Sequence, residues 1–354
     1  MELKILPLTN PKPRPADESH LGFGKQFTDR MLVMEYAASQ GWHSARIQPY
    51  GPFSLDPACA VLHYAQEIFE GLKAFRREDG SLALFRAADN VRRFNRSATR
   101  MCMPTVDEVF FHEAIRQLVK LEADWVPRSA GTSLYIRPTM IATDPYLGVK
   151  PSDTYLCYVI LSPVGAYYKG GFSPVKIWIS DEYVRAALGG TGEAKTGGNY
   201  AASLRASMEA AAHGYDQVLW LDAEQRRYVE EVGSMNMCFV VDGKVVTSPL
   251  RGTILDGVTR RSILELVRDL GVGIEERALS VDEIFAAIAS GRMTEAFGTG
   301  TAAVVSPVGQ FTYRERTATL GNGQVGAFTM KLYETLTGIQ YGRLPDPHGW
   351  VEVL

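Results

Sequence analysis

The sequence predicts a mixed α/β protein of two domains, and three observations carry that reading. Its 354 residues exceed what one hydrophobic core commonly organises, which favours two domains over a single large α/β domain. Stretches of alternating or continuous apolar residues are interspersed with stretches whose apolar residues fall on one helical face, so strands and helices are mixed along the chain. A segment dense in Pro and Gly, SPVGAYYKGGFSP from Ser162 to Pro174, interrupts the pattern and marks the domain boundary, with the flexibility of a hinge or lid.

Residues 1–19 carry Pro7, Pro11, Pro13 and Pro15, which fix φ and remove donors, so an extended arm without a helix is expected. Strand-like, turn-rich sequence runs on to about Arg86, with alternating patches around Leu62 and the run Leu82 to Phe85. Asp89 is expected to cap a helix reaching about Met101. The amphipathic run from Val106 predicts a second helix. The strand candidates TSLYIRPTMIA and TYLCYVILS close the first domain, 20–164, and an interdomain loop spans 165–175.

The second domain, 176–354, opens on the strand KIWIS. The Gly-rich stretch GGTGEAKTGGN then leads into an Ala-rich helix from about Tyr200 to Ala212, where Leu204, Met208 and Ala211 share a face. Strands at QVLWLD, RYVEEVGSMNMCFVV and KVVTS precede the helix GVTRRSILELVRDLG, which Gly271 stops. The helix VDEIFAAIAS, the strand EAFGTGTAAVVSPVG and a helix from about Phe328 to Thr337 complete the pattern, and no internal repeat is visible.

Bulk properties exclude several classes of function. A formal net charge of -3 with mixed signs provides no basic footprint for nucleic acid, and the cluster Arg92, Arg93, Arg96 is too local to supply one. No apolar run is long enough to span a bilayer and the start of the chain does not read as a signal peptide, so a cytoplasmic protein with no membrane partner is expected. The four cysteines, Cys59, Cys102, Cys157 and Cys238, are widely spaced and read as reduced thiols. The six histidines form no HExxH or HxH cluster, so no catalytic metal is expected.

Lys195 is the leading candidate for chemistry. A lysine becomes nucleophilic when burial or nearby positive charge discourages its ammonium form, and Gly192, Gly197 and Gly198 leave room for a cofactor to approach. Taken alone it would read as a surface lysine, so its neighbours decide. Tyr200 opens the following helix and can present a hydroxyl. In YVEEVGSMN, Glu230 and Glu231 must point to opposite faces of a strand, so one can enter a site while the other is expected to face solvent. Val258 and Thr259 open a helix whose free N–H groups attract an anion. FGTGTAA, Phe297 to Ala303, offers a second N–H-rich turn with the hydroxyls of Thr299 and Thr301. Arg93 can add a cation. Together these supply an aldehyde anchor, a partner for a phenolic oxygen, a partner for a ring nitrogen and a phosphate cradle, the set that pyridoxal 5'-phosphate requires.

The chain resembles the fold-type IV, or class IV, aminotransferases, and within them the branched-chain amino acid aminotransferases. The likeness runs from about Gly22 to Gly338 through FGKQFTDRM, HYAQEIFEGLKAFR, LFRAADNVRRFNRSATRMCMP, LYIRPTM, SPVGAYYKGG, EAKTGGNYAASL, EVGSMNMCFV, LDGVTRRSILEL and FGTGTAAVVSPV. It implies a smaller N-terminal α/β domain, a larger C-terminal domain with a mixed-sheet or barrel-like core, and a cofactor between them.

The resemblance also implies roles. Lys195 would form the Schiff base, Tyr200 would bond the phenolic oxygen, and Glu231, directly before Val-Gly-Ser, would pair with the pyridinium nitrogen, leaving Glu230 outward. Arg93, Val258, Thr259 and Thr301 match phosphate contacts, and Ser234 stands where the family also carries threonine. Tyr64 with the N–H groups of Thr301 and Ala302 would meet the substrate α-carboxylate. Phe23, Phe69, Tyr135 and Tyr167 would line an apolar side-chain pocket, and Arg137 would receive the second carboxylate of glutamate. Ala303 and Ser306 occupy the positions of a redox-sensitive Cys pair in mammalian members, so no thiol switch is expected.

The implied activity is ping-pong transfer of the amino group of leucine, isoleucine or valine to 2-oxoglutarate by a homodimer, each side-chain pocket completed by the partner subunit. D-amino acid aminotransferase and aminodeoxychorismate lyase share the fold but lack the FEGLKAF and LYIRPT context. A cofactor-free Schiff-base aldolase would leave Glu231 and the anion nests without a task. A non-catalytic protein on this fold would be expected to have lost the lysine or the glutamate, and both are present.

Overall fold

The computed structural model describes residues 1–165 and 172–354. The chain forms two compact units, one of Met1–Tyr167, Ala194–Gly197 and Gly338–Leu354, the other of Tyr168–Glu193 and Gly198–Thr337.

In the first unit the strands are β1 (Lys4–Ile5), β2 (Arg30–Ala37), β3 (Gly41–Pro49), β4 (Glu67–Phe69), β5 (Leu72–Arg76), β6 (Leu82–Phe85), β7 (Ser133–Ala142) and β8 (Thr154–Val164). The C-terminal strand Val351–Val353 joins them in one nine-stranded sheet, in the order β1-β3-β2-β8-β7-β5-β6-C-terminal strand, with β4 beside β7. The helices are α1 (Ala60–Tyr64), α2 (Ala87–Arg100) and α3 (Glu108–Leu121).

Side chains alternate between the two sheet faces. One face carries Leu32, Met34, Leu72, Ala74, Leu134, Ile136 and Met140, and it is buried with Val91 and Phe94 of α2 and Phe111, Ile115 and Leu118 of α3. Phe94 and Phe111 stack with centroids 5.4 Å apart. Each such side chain contributes about 1.5–3 kcal/mol when fully buried, so this face forms the unit's core. The register pairs Lys73 with Tyr135 and Phe69 with Thr139, so alternation sends Phe69, Lys73, Tyr135 and Arg137 to the other face.

The second unit contains β9 (Val175–Ile179), β10 (Gln217–Leu221), β11 (Val229–Val232), β12 (Met235–Val241), β13 (Lys244–Thr247), β14 (Ile274–Glu276), β15 (Met293–Gly300), β16 (Val304–Tyr313) and β17 (Arg316–Thr319). The order β11-β10-β9-β16-β15-β12 closes on itself through the β11–β12 pairing, which makes a barrel, with β13 and β14 continuing from β12 and β17 from β16. Its helices are α5 (Leu204–Ala212), α6 (Val258–Asp269) and α7 (Val281–Ala289), with all but the first residue of α4 (Gly197–Ala201) and all but the last three of α8 (Ala327–Gln340). Ile177, Leu219, Met237, Phe239, Val308 and Phe311 share a core with Ile284 and Ala287 of α7.

Several sequence expectations are corrected. The second part is not contiguous: Ala194–Gly197 and Gly338–Leu354 belong to the first unit, because Thr196 Oγ1 donates to Glu67 O and Val351–Val353 pairs antiparallel with β6. The first unit is consequently the larger. The arm is not wholly extended, since Glu18–His20 form a 3-10 turn capped by Asp17. Residues around Leu62 form α1 rather than a strand. Arg86, with φ 50°, caps α2, while Asp89 lies in the first turn, paired with Arg86 and Arg92.

The Ala-rich helix is two helices, and its buried residues are Ala206 and Ala210. Leu204 and Met208 are exposed, because the small alanines pack against Val218 and Trp220. Two long strand candidates fold into hairpins, β11–β12 and β15–β16. The first turns at Gly233, whose φ is 56°, a backbone region that side chains disfavour. The loop expected at 165–175, and Tyr167 with it, falls largely or wholly on residues 166–171, outside the described residues.

Candidate functional site

In the first unit Lys195 is pinned through its backbone. Its N–H donates to Ser97 Oγ of α2 at 3.0 Å, and its carbonyl accepts from Phe69 N of β4 at 2.9 Å. Gly197 is required by contact, since a Cβ there would lie 1.8 Å from Glu67 Oε1. The Lys195 ammonium lies 4.7 Å from the Phe69 ring centroid, an aromatic surface that partly desolvates it.

Around that ring the sheet face opposite the core brings together most of the side-chain pocket candidates. The Arg137 guanidinium sits 4.6 Å from the Phe69 centroid and 5.2 Å from that of Tyr135, and its Nη2 donates to Tyr135 Oη at 3.0 Å. Phe23 meets Tyr135 edge-on at 4.9 Å. Arg137 Nε is buried with no hydrogen-bond partner among the described residues. Glu67 has its carboxyl pushed up by burial, with Arg137 pulling it back. Burial also lowers Lys73, to about 8.

Tyr64 stands apart from this cluster in its bonding. It is 41% exposed, and its hydroxyl donates to Leu147 O.

Arg93 projects from α2 into a buried ion pair. Its Nε donates to Glu70 Oε1 at 2.7 Å and its Nη2 to Glu70 Oε2 at 2.9 Å, a bidentate geometry that fixes the guanidinium plane.

In the second unit Glu231 on β11 is held on both oxygens. Oε1 accepts from Asn236 Nδ2 at 2.9 Å and from Leu255 N at 3.2 Å. Oε2 faces Arg185 Nε at 2.7 Å. Glu230 is buried as well, at 7% exposure, which corrects the expected solvent-facing position: all four residues of β11 are buried, so both of its faces are covered, with Thr253 and Arg185 beside the Glu230 carboxyl. Burial pushes the Glu230 carboxyl up, with Thr253 and Arg185 opposing the shift.

Val258 and Thr259 are buried at the start of α6, and Gly257 caps that helix with no side-chain hydrogen bond. A glycine cap supplies no side chain to the first-turn N–H groups of α6, which suits them to an external acceptor. Gly257 is itself required by space, because a Cβ there would lie 2.0 Å from Asn236 Oδ1. Thr301 and Ala302 lie in the β15–β16 turn, both partly accessible. Tyr200 lies on α4, steadied by Asn199, which exchanges two 2.8 Å bonds with Thr191. Ser234 is exposed in the β11–β12 turn.

Sequence reasoning missed Glu70, Ser97, Arg185 and Asn236. Glu70 lay inside a quoted segment and could have been sought as a partner for Arg93. Arg185, ten positions before the lysine in a stretch without a motif, gave no signal. Among the described residues no group of His, Cys, Asp and Glu is placed to hold a metal ion, and no helix is long and apolar enough to cross a membrane.

The family model for amino-transferase class IV matches residues 67–311. Branched-chain-amino-acid transaminase 1 of Bacillus subtilis (strain 168) is 56% identical over 339 residues, covering 95% of each chain. The branched-chain-amino-acid aminotransferase of Mycolicibacterium smegmatis is 50% identical, covering 99% of this chain and 98% of that one. Among solved structures, the T.th. branched-chain amino acid aminotransferase with pyridoxamine 5'-phosphate superposes with TM-score 0.75 at 29% identity, covering 91% of this chain and 97% of the other. That of Escherichia coli gives 0.74 at 26% identity, covering 90% and 98%.

Each unit carries donors that fit such a cofactor: in the second, a fixed buried carboxylate suits a ring nitrogen and a helix start without a side-chain cap suits a phosphate; in the first, a lysine amine suits an aldehyde.

Proposed function

The chain belongs to the amino-transferase class IV family, and from that premise we propose that it is a pyridoxal-phosphate-dependent branched-chain transaminase. It moves the amino group of leucine, isoleucine or valine to 2-oxoglutarate. The observation that carries the reading is the buried Glu231 carboxylate, fixed by Arg185, Asn236 and the Leu255 N–H. When bound, the cofactor supplies an aldehyde carbon that accepts the amino group and a protonated ring that withdraws electrons from the substrate Cα.

This chain's own residues do the rest. Lys195 Nζ holds the cofactor and, once released, carries a proton from the substrate Cα. Glu231 keeps the ring nitrogen protonated, and Tyr200 donates toward the phenolic oxygen. The N–H groups of Val258 and Thr259 and the hydroxyl of Thr301 take the phosphate, with Arg93 contributing charge and Ser234 a further hydroxyl. Tyr64 and the N–H groups of Thr301 and Ala302 orient the α-carboxylate.

Phe23, Phe69 and Tyr135 present an aromatic wall to an aliphatic side chain, and the expected further member, Tyr167, lies outside the described residues. Arg137, whose Nε has no hydrogen-bond partner among the described residues, accepts the distal carboxylate of the dicarboxylic partner. One wall with one guanidinium thereby serves both substrates in turn.

The test mixes the cofactor-loaded protein with L-leucine and 2-oxoglutarate. Glutamate and the branched 2-oxo acid are expected in equal amounts, and their absence from a protein with bound cofactor defeats the reading. A cytoplasmic homodimer completes the proposal; sedimentation of the purified protein as a monomer would remove that part.

A further inference from the structure

Arg185 enters the reading above only as one partner of Glu231, yet its further contacts within the second unit give it a wider position. Its Nε faces Glu231 Oε2 at 2.7 Å, with side-chain exposures of 7% and 5% for the pair. Its Nη2 donates to the carbonyls of Gly192, at 3.1 Å, and Thr253. Gly192 is three residues before Lys195 in the chain, and Thr253 stands five residues before the start of α6. One guanidinium therefore joins the strand of Glu231, the approach to the lysine and the approach to the uncapped helix.

The spacing of these segments leaves no room for a side chain at Gly192, where a Cβ would come within 2.4 Å of Thr253 O. Arg185 closes that tight junction. On the other oxygen of the glutamate, Asn236 Nδ2 bonds both Glu231 Oε1 and Leu255 O at 2.9 Å, so a hydrogen bond holds Oε1 while the Arg185 cation meets Oε2 as an ion pair.

We propose that Arg185 is a positioning residue that orients the Glu231 carboxylate and holds it anionic toward the cofactor's ring nitrogen. It also fixes the two chain segments that lead to Lys195 and to the phosphate-facing helix start. The inference rests on the reading that Glu231 faces that nitrogen. Its physical basis is that a buried carboxylate without a fixed cation neutralises by binding a proton, and a neutral acid is a poor partner for a protonated pyridine. Lysine cannot replace arginine here without loss. A single ammonium cannot present Nε to the carboxylate and Nη2 to two carbonyls in one rigid plane.

The experiment compares the affinity of the cofactor-free enzyme for pyridoxal 5'-phosphate and for its 1-deaza analogue, in which a C–H replaces the ring nitrogen. It uses wild type, Arg185→Met, Arg185→Lys and Glu231→Gln. Wild type is expected to prefer the nitrogen-bearing cofactor by at least about tenfold, the size of one charge-assisted hydrogen bond. Arg185→Met and Glu231→Gln should bring the preference close to one, and Arg185→Lys should fall between. If Arg185→Met fails to fold, Arg185→Lys carries the test, and a wild-type preference in it overturns the proposal.

A purely structural role for Arg185 would weaken both ligands equally and leave the preference intact, which also overturns it. A wild type that binds the two ligands equally, with Glu231→Gln unchanged, overturns the reading of Glu231 instead and takes the proposal with it.

Discussion

Removing Arg93 should cost more stability than any surface change, and the cost should be recoverable by a second substitution. Arg93 and Glu70 are 4% and 1% exposed, and they meet through two bonds of 2.7 and 2.9 Å. With Arg93→Met, the Glu70 carboxylate stays in a dry site beside the Gly71 N–H, 3.1 Å from Oε2. Breaking a buried pair by deleting one partner costs about 3–5 kcal/mol, whereas replacing both partners with apolar groups of similar volume is close to neutral. The Arg93→Met, Glu70→Met double variant should therefore return to within about 1 kcal/mol of wild type.

Urea unfolding of the cofactor-free protein, followed by tryptophan fluorescence, measures each step, and an unchanged slope shows that only stability has moved. A double variant as unstable as the single one refutes the argument. The same pair of variants isolates Arg93's proposed phosphate role. If that guanidinium also serves the phosphate, the stable double variant will lose affinity for pyridoxal 5'-phosphate but not for phosphate-free pyridoxal.

Three further outcomes are expected. Glu230 has its carboxyl raised by burial, so the folded state holds its proton more tightly than the unfolded state, and its contribution to stability falls as pH rises through and above the usual carboxylate range. Glu230→Gln should consequently gain melting temperature over wild type at pH 7.5 and show little gain at pH 4; a pH-independent difference would contradict this. Gly192→Ala must displace the Thr253 carbonyl that a Cβ would approach to 2.4 Å. It should lose about 1–3 kcal/mol in chemical unfolding together with cofactor retention on gel filtration, and wild-type values for both would show that the junction is loose. Cys59, Cys157 and Cys238 are buried while Cys102 is exposed, and burial raises Cys238 to about 11. Alkylation of the native protein should modify Cys102 alone, and Cys102→Ser should abolish it; rapid modification of a second thiol would refute the burial argument.

Elements with a strong local signature were legible in the sequence. Helix α3 was legible from its continuous apolar stripe, although the run read from Val106 becomes helical only at Glu108, after Asp107 accepts from Phe110 N. Helix α6 was legible for the same reason, with Gly271 at φ 68° just beyond its end. The hairpins were not, because strand-forming residues run almost without a break from Val229 to Val241, and that composition reads as one long strand. Only pairing with β10 and β15 decides where it reverses. The exposed Leu204 and Met208 misled the reading of α5, since periodicity identifies an apolar face but not whether a flat alanine face packs more closely against Trp220.

The site divides along the same line. Residues whose chemistry is local to a short segment, such as Lys195 among glycines and Val258 and Thr259 at a helix start, could be proposed from sequence, whereas the choice of Glu231 over Glu230 came from the family resemblance. The residues that define their states could not, because their effect depends on contacts between distant segments. Ser97 reaches Lys195 across 98 positions, and Thr253 meets Arg185 across 68. Glu230 shows the limit most directly. Two adjacent glutamates must point opposite ways in any strand, and that much was sound. Assigning solvent to one of them assumed a strand with one wet face, whereas all four residues of β11 are buried and Thr253 and Arg185 sit beside the Glu230 carboxyl. Alternation fixes the relative direction of neighbouring side chains, but the segments packed on each face of the strand decide what each direction meets.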